Sequence, residues 1–270
     1  MMVLSGKNVL LTGGSRGLGP YIADMLARRG ANLALVARSQ SGLEQVAARV
    51  RALGVRAVPV AADLASETGR REAVRTTVDA LGEIDVLVNN AGLETEGAFL
   101  RVPWEELRAT VEVNLIAPLE LAHLVLPRMV ERSSGHVVNI SSLGGKAGTP
   151  YDAVYCGTKA ALAHWARGVR LELAGTGVRI STIYPGYVTE SGMFARFGVV
   201  APWVVGSCTP SQVARAVVRA IERGRSEQIV NSRPMRPVLA LAELFPSLAD
   251  SIMRRIGVVE FQRRKVGDRI

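Results

Sequence analysis

A short apolar run, Val9-Leu10-Leu11, passes directly into Thr12-Gly13-Gly14-Ser15-Arg16-Gly17-Leu18-Gly19, after which Tyr21-Ile22-Ala23-Asp24-Met25-Leu26-Ala27 repeats with helical period. An apolar run bounded by turn residues reads as a buried strand. A strand that feeds a helix through a glycine-rich loop commits the chain to a crossover layout, with parallel strands covered by helices. Glycine there makes the tight turn, lets backbone approach a pyrophosphate and packs the helix closely on the sheet. The helix N-terminus adds free N–H groups and a partial positive charge. The spacing is Gly-x-x-x-Gly-x-Gly (Gly13, Gly17, Gly19) rather than the commoner Gly-x-Gly-x-x-Gly.

The same alternation continues along the chain. Strands are expected at residues 32–37, 55–60, 84–88, 136–140, 178–184 and 228–230, seven with the first. Helices are expected at about 42–53, 67–81 and 152–173, in a long region after Pro103, and from Thr209-Pro210 to about 223. This pattern predicts a Rossmann-type, doubly wound parallel sheet with helices on both faces. With 270 residues and 48% hydrophobic side chains, one large domain with doubly buried strands is within reach.

Tyr155-Cys-Gly-Thr-Lys159 carries the chemistry. On a helix, residues four apart share a face, about 6 Å apart along the axis. A free phenol, with a pKa near ~10, is a poor acid-base catalyst at neutral pH. A neighbouring ammonium stabilises the phenolate and draws that pKa toward the working range. The serine pair Ser141-Ser142 lies shortly before.

Together these motifs resemble the short-chain dehydrogenase/reductase family, and four further pieces fall in family order. They are Asn89-Asn90-Ala91-Gly92, Asn114 in Val111-Glu-Val-Asn-Leu115, Asn139-Ile-Ser-Ser142 and Pro185-Gly186. The resemblance covers roughly residues 5 to 232. It implies catalysis by Ser142, Tyr155 and Lys159, with Asn114 holding the helix region through which Lys159 reaches solvent. Tyr155 would give a proton to a carbonyl oxygen that Ser142 holds, and Lys159 would lower the phenol's pKa and bind the nicotinamide ribose. The cofactor would lie against Gly13, Ser15, Arg16, Gly17, Leu18 and Gly19, then Asp63 and Leu64 near the adenine, Asn90, Ala91 and Gly92, and Pro185, Gly186 and Val188. After the second strand stands Ala37-Arg38-Ser39, where an NAD enzyme commonly has an acid. Arg38 and Arg16 can bond a 2′-phosphate, and with Ser39 they point to NADP(H). The family's threonine four residues past the Pro-Gly glycine is here Glu190, which leaves Thr189 or Ser191 to supply that hydroxyl.

The net charge of +9 does not by itself imply nucleic acid. Of 33 basic residues four are lysines (Lys7, Lys146, Lys159, Lys265), and the 29 arginines are spread along the chain, which suits a compositional bias. The histidines His123, His136 and His164 have no metal-ligand spacing, so no metal site is expected. Two cysteines, Cys156 and Cys208, make no disulfide framework. With no visible leader and no uninterrupted run of 18 apolar residues, a cytoplasmic location is expected. Residues 186–208 read as a lid. The tail separates residues 233–270 from a catalytic unit of 1–232. Its Val238, Leu241, Leu244, Phe245, Leu248, Ile252 and Ile256 follow a helical period broken by Pro246. After Asn231 there are eight basic and four acidic side chains, which suits packing on the domain or a partner, or contact with an anionic membrane surface. The expected activity is therefore interconversion of a ketone and a secondary alcohol on a small apolar substrate, lipid-, acyl- or steroid-like, by a homodimer or homotetramer. A non-catalytic NADP(H)-sensing or membrane-surface protein on the same fold is the alternative.

Overall fold

The computed structural model describes residues 2–269. Its first half is β1 (Asn8–Thr12), α1 (Gly19–Ala27), β2 (Asn32–Ala37), α2 (Gln40–Arg51), β3 (Ala57–Ala61), α3 (Glu67–Leu81), β4 (Val86–Asn89) and α4 (Trp104–Val111). A π-helical turn (Glu112–Ile116) joins α4 to α5 (Ala117–Glu131). Then follow β5 (Gly135–Ile140), α6 (Ala153–Glu172), β6 (Val178–Pro185), β7 (Tyr187–Val188), β8 (Ser207–Cys208), α7 (Pro210–Arg223) and β9 (Glu227–Val230). The chain ends in α8 (Met235–Leu244), α9 (Pro246–Arg255) and α10 (Val258–Val266).

Seven parallel strands form one sheet in the order β3-β2-β1-β4-β5-β6-β9. Alternate strand residues face opposite ways and both faces are covered. Val9, Leu11, Leu33 and Leu35 pack under α1, α2 and α7. Leu10, Ala34, Val36 and Leu87 pack under α3, α5 and α6. Leu10, Leu11, Leu33, Leu35 and Leu87 are fully buried. Burying such a side chain stabilises the fold by about 1.5–3 kcal/mol, which explains why these runs form strands without alternation. Strand order reverses between β1 and β4, and a crevice opens there at the carboxyl ends of the strands.

Where the elements differ from expectation, local chemistry gives the reason. Helix α2 starts two residues early because the Ser39 hydroxyl accepts from the Gly42 N–H and caps it. Thr209 and Gln212 cap α7 reciprocally, as a Thr-Pro start predicts. The helix over residues 104–131 is, by length and composition, apolar enough to cross a membrane. Its Ala117, Leu121, Ala122, Val125 and Met129 face the sheet core. Within the 186–208 loop, β7 and β8 pair in parallel as a small second sheet. The tail contains a third helix, α10, beyond the expected two. Helices α8 and α9, separated at Pro246, have no buried residue, whereas α10 buries Val258, Gln262, Lys265 and Val266.

Candidate active site

At the carboxyl ends of β1, β4, β5 and β6 lies a cavity of about 1140 Å³. Its wall runs from Gly13, Arg16, Gly17 and Leu18 past Asn90, Ala91 and Gly92 to Ser142, Tyr155 and Lys159, and on to Pro185, Gly186 and Val188. The glycine loop is shaped by contacts that exclude side chains. Gly13 has φ +67°, and a Cβ there would stand 2.9 Å from Ala91 Cα. A Cβ on Gly19 would stand 2.0 Å from the Gly13 carbonyl oxygen, so the first turn of α1 can sit on the loop only with glycine. Leu18, at the N-cap of α1, makes no side-chain cap, leaving the first N–H groups of the helix available.

One residue outside the expected set ties the two sides of the crevice together. The Thr12 hydroxyl accepts from the N–H groups of Asn90 (2.9 Å) and Ala91 (3.0 Å) and donates to the Val88 carbonyl. The Asn90 side chain donates to the carbonyls of Thr12 and Gly13.

Helix α6 presents Tyr155 and Lys159 on one face, with the ammonium 5.6 Å from the phenol ring centroid. Lys159 is buried, and its Nζ donates to the Ile140 carbonyl at 2.9 Å. Burial lowers its pKa to about 8, against which the Glu94 carboxylate pulls upward. The Tyr155 phenol lies well above its ordinary range, first through burial and then through the charges of Glu94 and Asp152. The Ser142 hydroxyl, by hydrogen bonding, is the influence that lowers it. Lys159 shares the α6 face with the phenol, as expected for an ammonium that favours a phenolate, and burial works in the opposite direction. Of the serine pair, Ser142 lines the cavity, whereas the buried Ser141 donates to the Lys159 carbonyl.

Asn114 sits in the π-helical turn, fully buried. Its Oδ1 accepts from the Leu93 N–H at 2.7 Å, and its Nδ2 donates to the Leu93 carbonyl and to the Thr158 hydroxyl. It therefore clamps the 90–93 loop onto α6 and does not line the cavity. Ser15, Gly19, Arg38, Ser39, Asp63 and Leu64 also lie off the lining. Arg38 is exposed beyond β2, the exposed Asp63 accepts from the Ala65 N–H, and Leu64 is buried with its carbonyl bonded to Arg70. Thr189 spends its hydroxyl on the Cys208 carbonyl, while Ser191 donates to the Gly17 carbonyl in the glycine loop. Of the two, Ser191 is the one turned toward that loop.

The tail supplies much of the remaining wall. Val238, Leu241, Phe245, Leu248, Ile252 and Ile256 line the cavity while staying about half exposed. The turn that follows α10 closes against the 94–98 loop: the Ala98 N–H donates to the Arg269 carbonyl, and the Arg269 guanidinium to Glu106. From α10, Lys265 contacts the Glu96 carboxylate and stands 3.8 Å from Glu94. The carboxylate oxygens of Glu94, Glu96 and Asp152 lie within 4.8 Å of one another. Burial and mutual repulsion raise Glu94 to about 8 and Asp152 to about 9. Sequence reasoning missed this cluster. Its faint signal was Lys265, one of four lysines in an arginine-rich chain.

Residues 7–198 match the family described as short chain dehydrogenase. The chain belongs to that family. Among curated relatives of this short-chain dehydrogenase is a protein named ketoacyl reductase HetN from Nostoc sp., 43% identical over 100% of this chain and 96% of its own. An uncharacterized oxidoreductase of Myxococcus xanthus is 37% identical over 70% of this chain and 74% of its own. Two solved structures share the fold. A metagenomic short-chain oxidoreductase in complex with NADP has a TM-score of 0.73 at 31% identity, covering 85% of this chain and 98% of that one. A Sphingobium yanoikuyae short-chain dehydrogenase in complex with NADPH has a TM-score of 0.77 at 29% identity, covering 92% and 95%. The enzyme class of the present chain is accordingly oxidoreductase.

Proposed function

We propose that this oxidoreductase uses NADP(H) to interconvert a ketone and a secondary alcohol on a long apolar substrate. The observation that carries the reading is one continuous cavity with Ser142, Tyr155 and Lys159 at one part of its wall and the apolar faces of α8 and α9 at another.

The residues suit a dinucleotide. The loop between β1 and α1 tolerates no Cβ at Gly13 or Gly19, and the α1 N-terminus has no side-chain cap. Arg16 and Arg38 are exposed near it, with no acid following β2, which favours a 2′-phosphate over a bare ribose hydroxyl. The solved relatives with NADP and NADPH support the same choice. When bound, NADPH supplies the hydride.

The protein's own residues do the rest. Ser142 donates a hydrogen bond to the carbonyl oxygen and fixes its place. Tyr155, its phenol held protonated by burial, gives that oxygen a proton. Lys159, bonded to Ile140, is the ammonium on the same helix face that steadies the developing phenolate. Asn114 keeps the 90–93 loop and α6 in fixed relation. Helices α8 and α9 take the apolar chain. The ketoacyl reductase relative, matched along the whole chain including the tail, supports a ketone carried on an aliphatic chain.

A panel of ketones of increasing chain length, 3-ketoacyl thioesters included, tests this by loss of NADPH absorbance. Turnover that rises with chain length and requires NADPH rather than NADH is the expected result. No turnover across the panel overturns it.

A second reading concerns the mouth of the cavity. Leu244 and Trp203 are 70% and 74% exposed and do not line it, while Arg254 and Arg255 end α9. That combination suits an anionic bilayer, on which the mouth would rest. Sedimentation with liposomes of anionic and neutral lipid, at low and high salt, decides it.

A further inference from the structure

Within an otherwise apolar wall, a group of oxygen atoms beside Tyr155 lacks donors. Asp152 is 6% exposed, lines the cavity, and its Oδ1 receives no hydrogen bond from the described residues. Gln262, on α10 three residues before Lys265, is 1% exposed, lines the same cavity, and its carbonyl Oε1 is equally without a donor. Glu94 Oε2, also on the lining, receives none either, and behind it both oxygens of the buried Glu96 are in the same state apart from their contact with Lys265. A buried polar atom without a partner loses its bonds to water and gains nothing in return, so three around one cavity call for a ligand that satisfies them.

The cations nearby are already engaged. Lys265 contacts Glu96 and reaches only the other oxygen of Glu94, at 3.8 Å, Lys159 donates to Ile140, and Arg196 donates to the Met193 carbonyl. Asp152 stands three residues before Tyr155, and both line the cavity with Glu94, which puts the group at the reacting end. Gln262 Oε1 can only accept, which makes the missing ligand a donor. A hydroxyl offers one proton to three acceptors, whereas a primary ammonium offers three and brings the positive charge that lets Glu94 and Asp152, protonated without it, ionise.

We infer that Glu94, Asp152 and Gln262 form a subsite for a primary amine carried by the substrate near its carbonyl, with the apolar chain lying along α8 and α9. This rests on the ketone reading for its place beside Tyr155 and extends it to the class of amino-ketone amphiphiles. Binding would exchange the protons held by Glu94 and Asp152 for the ammonium, so protons are released as the amine enters.

The test uses decylamine, decanol and decanoate, which have no carbonyl, with the full chain loaded with NADPH, by titration calorimetry in buffers of different ionisation heat. Decylamine should bind about tenfold or more tighter than decanol, since a charged hydrogen bond is worth about 1.5–3 kcal/mol, and release protons on doing so. Decanoate should bind weakest. Decanol or decanoate binding as tightly as the amine overturns the subsite. Asp152→Asn and Gln262→Met should each erase most of the preference while NADPH affinity stays as in the unsubstituted chain. A preference that survives both places the amine elsewhere and overturns the assignment. Should either variant misfold, the three-ligand comparison on the unsubstituted chain still decides. Because binding is read without turnover, failure here leaves the ketone panel intact, and failure of the panel leaves this titration readable.

Discussion

At the scale of single residues, the chemistry turns on where the protons sit. A phenol raised by burial stays protonated at neutral pH, which suits donation to a ketone. Tyr155→Phe keeps the ring and removes the proton, so kcat should fall about a hundred- to ten-thousand-fold while NADPH affinity changes little; steady-state kinetics with fluorescence titration checks both. Arg38→Asp should weaken NADPH about tenfold, discounted for its exposure, and leave NADH nearly unaffected; equal loss for both cofactors would refute the 2′-phosphate contact. Asp152 offers a stability test with a definite sign. Its folded pKa, about 9, lies above the ordinary carboxylate value, so its contribution is full below that ordinary value and is lost as pH rises toward 9. Asp152→Asn escapes that loss. Its unfolding temperature should gain on the original chain by a few degrees between about pH 5 and about pH 8.5. A gap that shrinks over that range would show that Asp152 is not buried as a strained acid.

At the scale of elements, β2 and β4 were readable because they are buried on both faces and apolar but for one asparagine each, whereas β9 is only half buried and begins with Glu227 and Gln228. Capping residues such as Thr209 and the break at Pro246 were readable for equally local reasons. Helix α10 was not, because Val258-Val-Glu-Phe-Gln-Arg-Arg-Lys-Val266 buries a glutamine and a lysine where a periodic stripe would require apolar side chains. The stripe that was readable, on α8 and α9, belongs to helices with no buried residue and serves as a cavity wall. Replacing residues 235–256 with a Gly/Ser segment of equal length, leaving α10 in place, separates these roles. Short ketones should be reduced nearly as before, and the kcat/KM for long ones should drop at least about tenfold as apolar contact is lost. Unchanged activity on long ketones would show that α8 and α9 do not touch the substrate.

At the scale of the molecule, the doubly wound parallel sheet of seven strands follows from the alternation of strands and helices, and the structure adds the strand order that opens the crevice between β1 and β4. The gathering of Glu94, Asp152, Gln262 and Lys265 was out of reach, because it depends on how the last helix returns across more than 160 residues to the loop after β4. No local pattern encodes such a meeting.

The 186–208 segment has a consequence in time as well as in space. Ser191 holds the glycine loop through the Gly17 carbonyl, and the tip of Met193 lies 3.2 Å from where a Cβ on Gly92 would stand. One strand of chain thus bridges both halves of the nucleotide crevice while its next residue, Phe194, is buried against Tyr187 and, through it, Phe261 of α10. A nucleotide held in that crevice would have to arrive before the segment settles and leave after it lifts. Product-inhibition patterns should therefore show a compulsory sequence, nucleotide first on and last off, with departure as the slow event of the cycle. Random-order patterns would mean that the segment opens faster than the chemistry turns over.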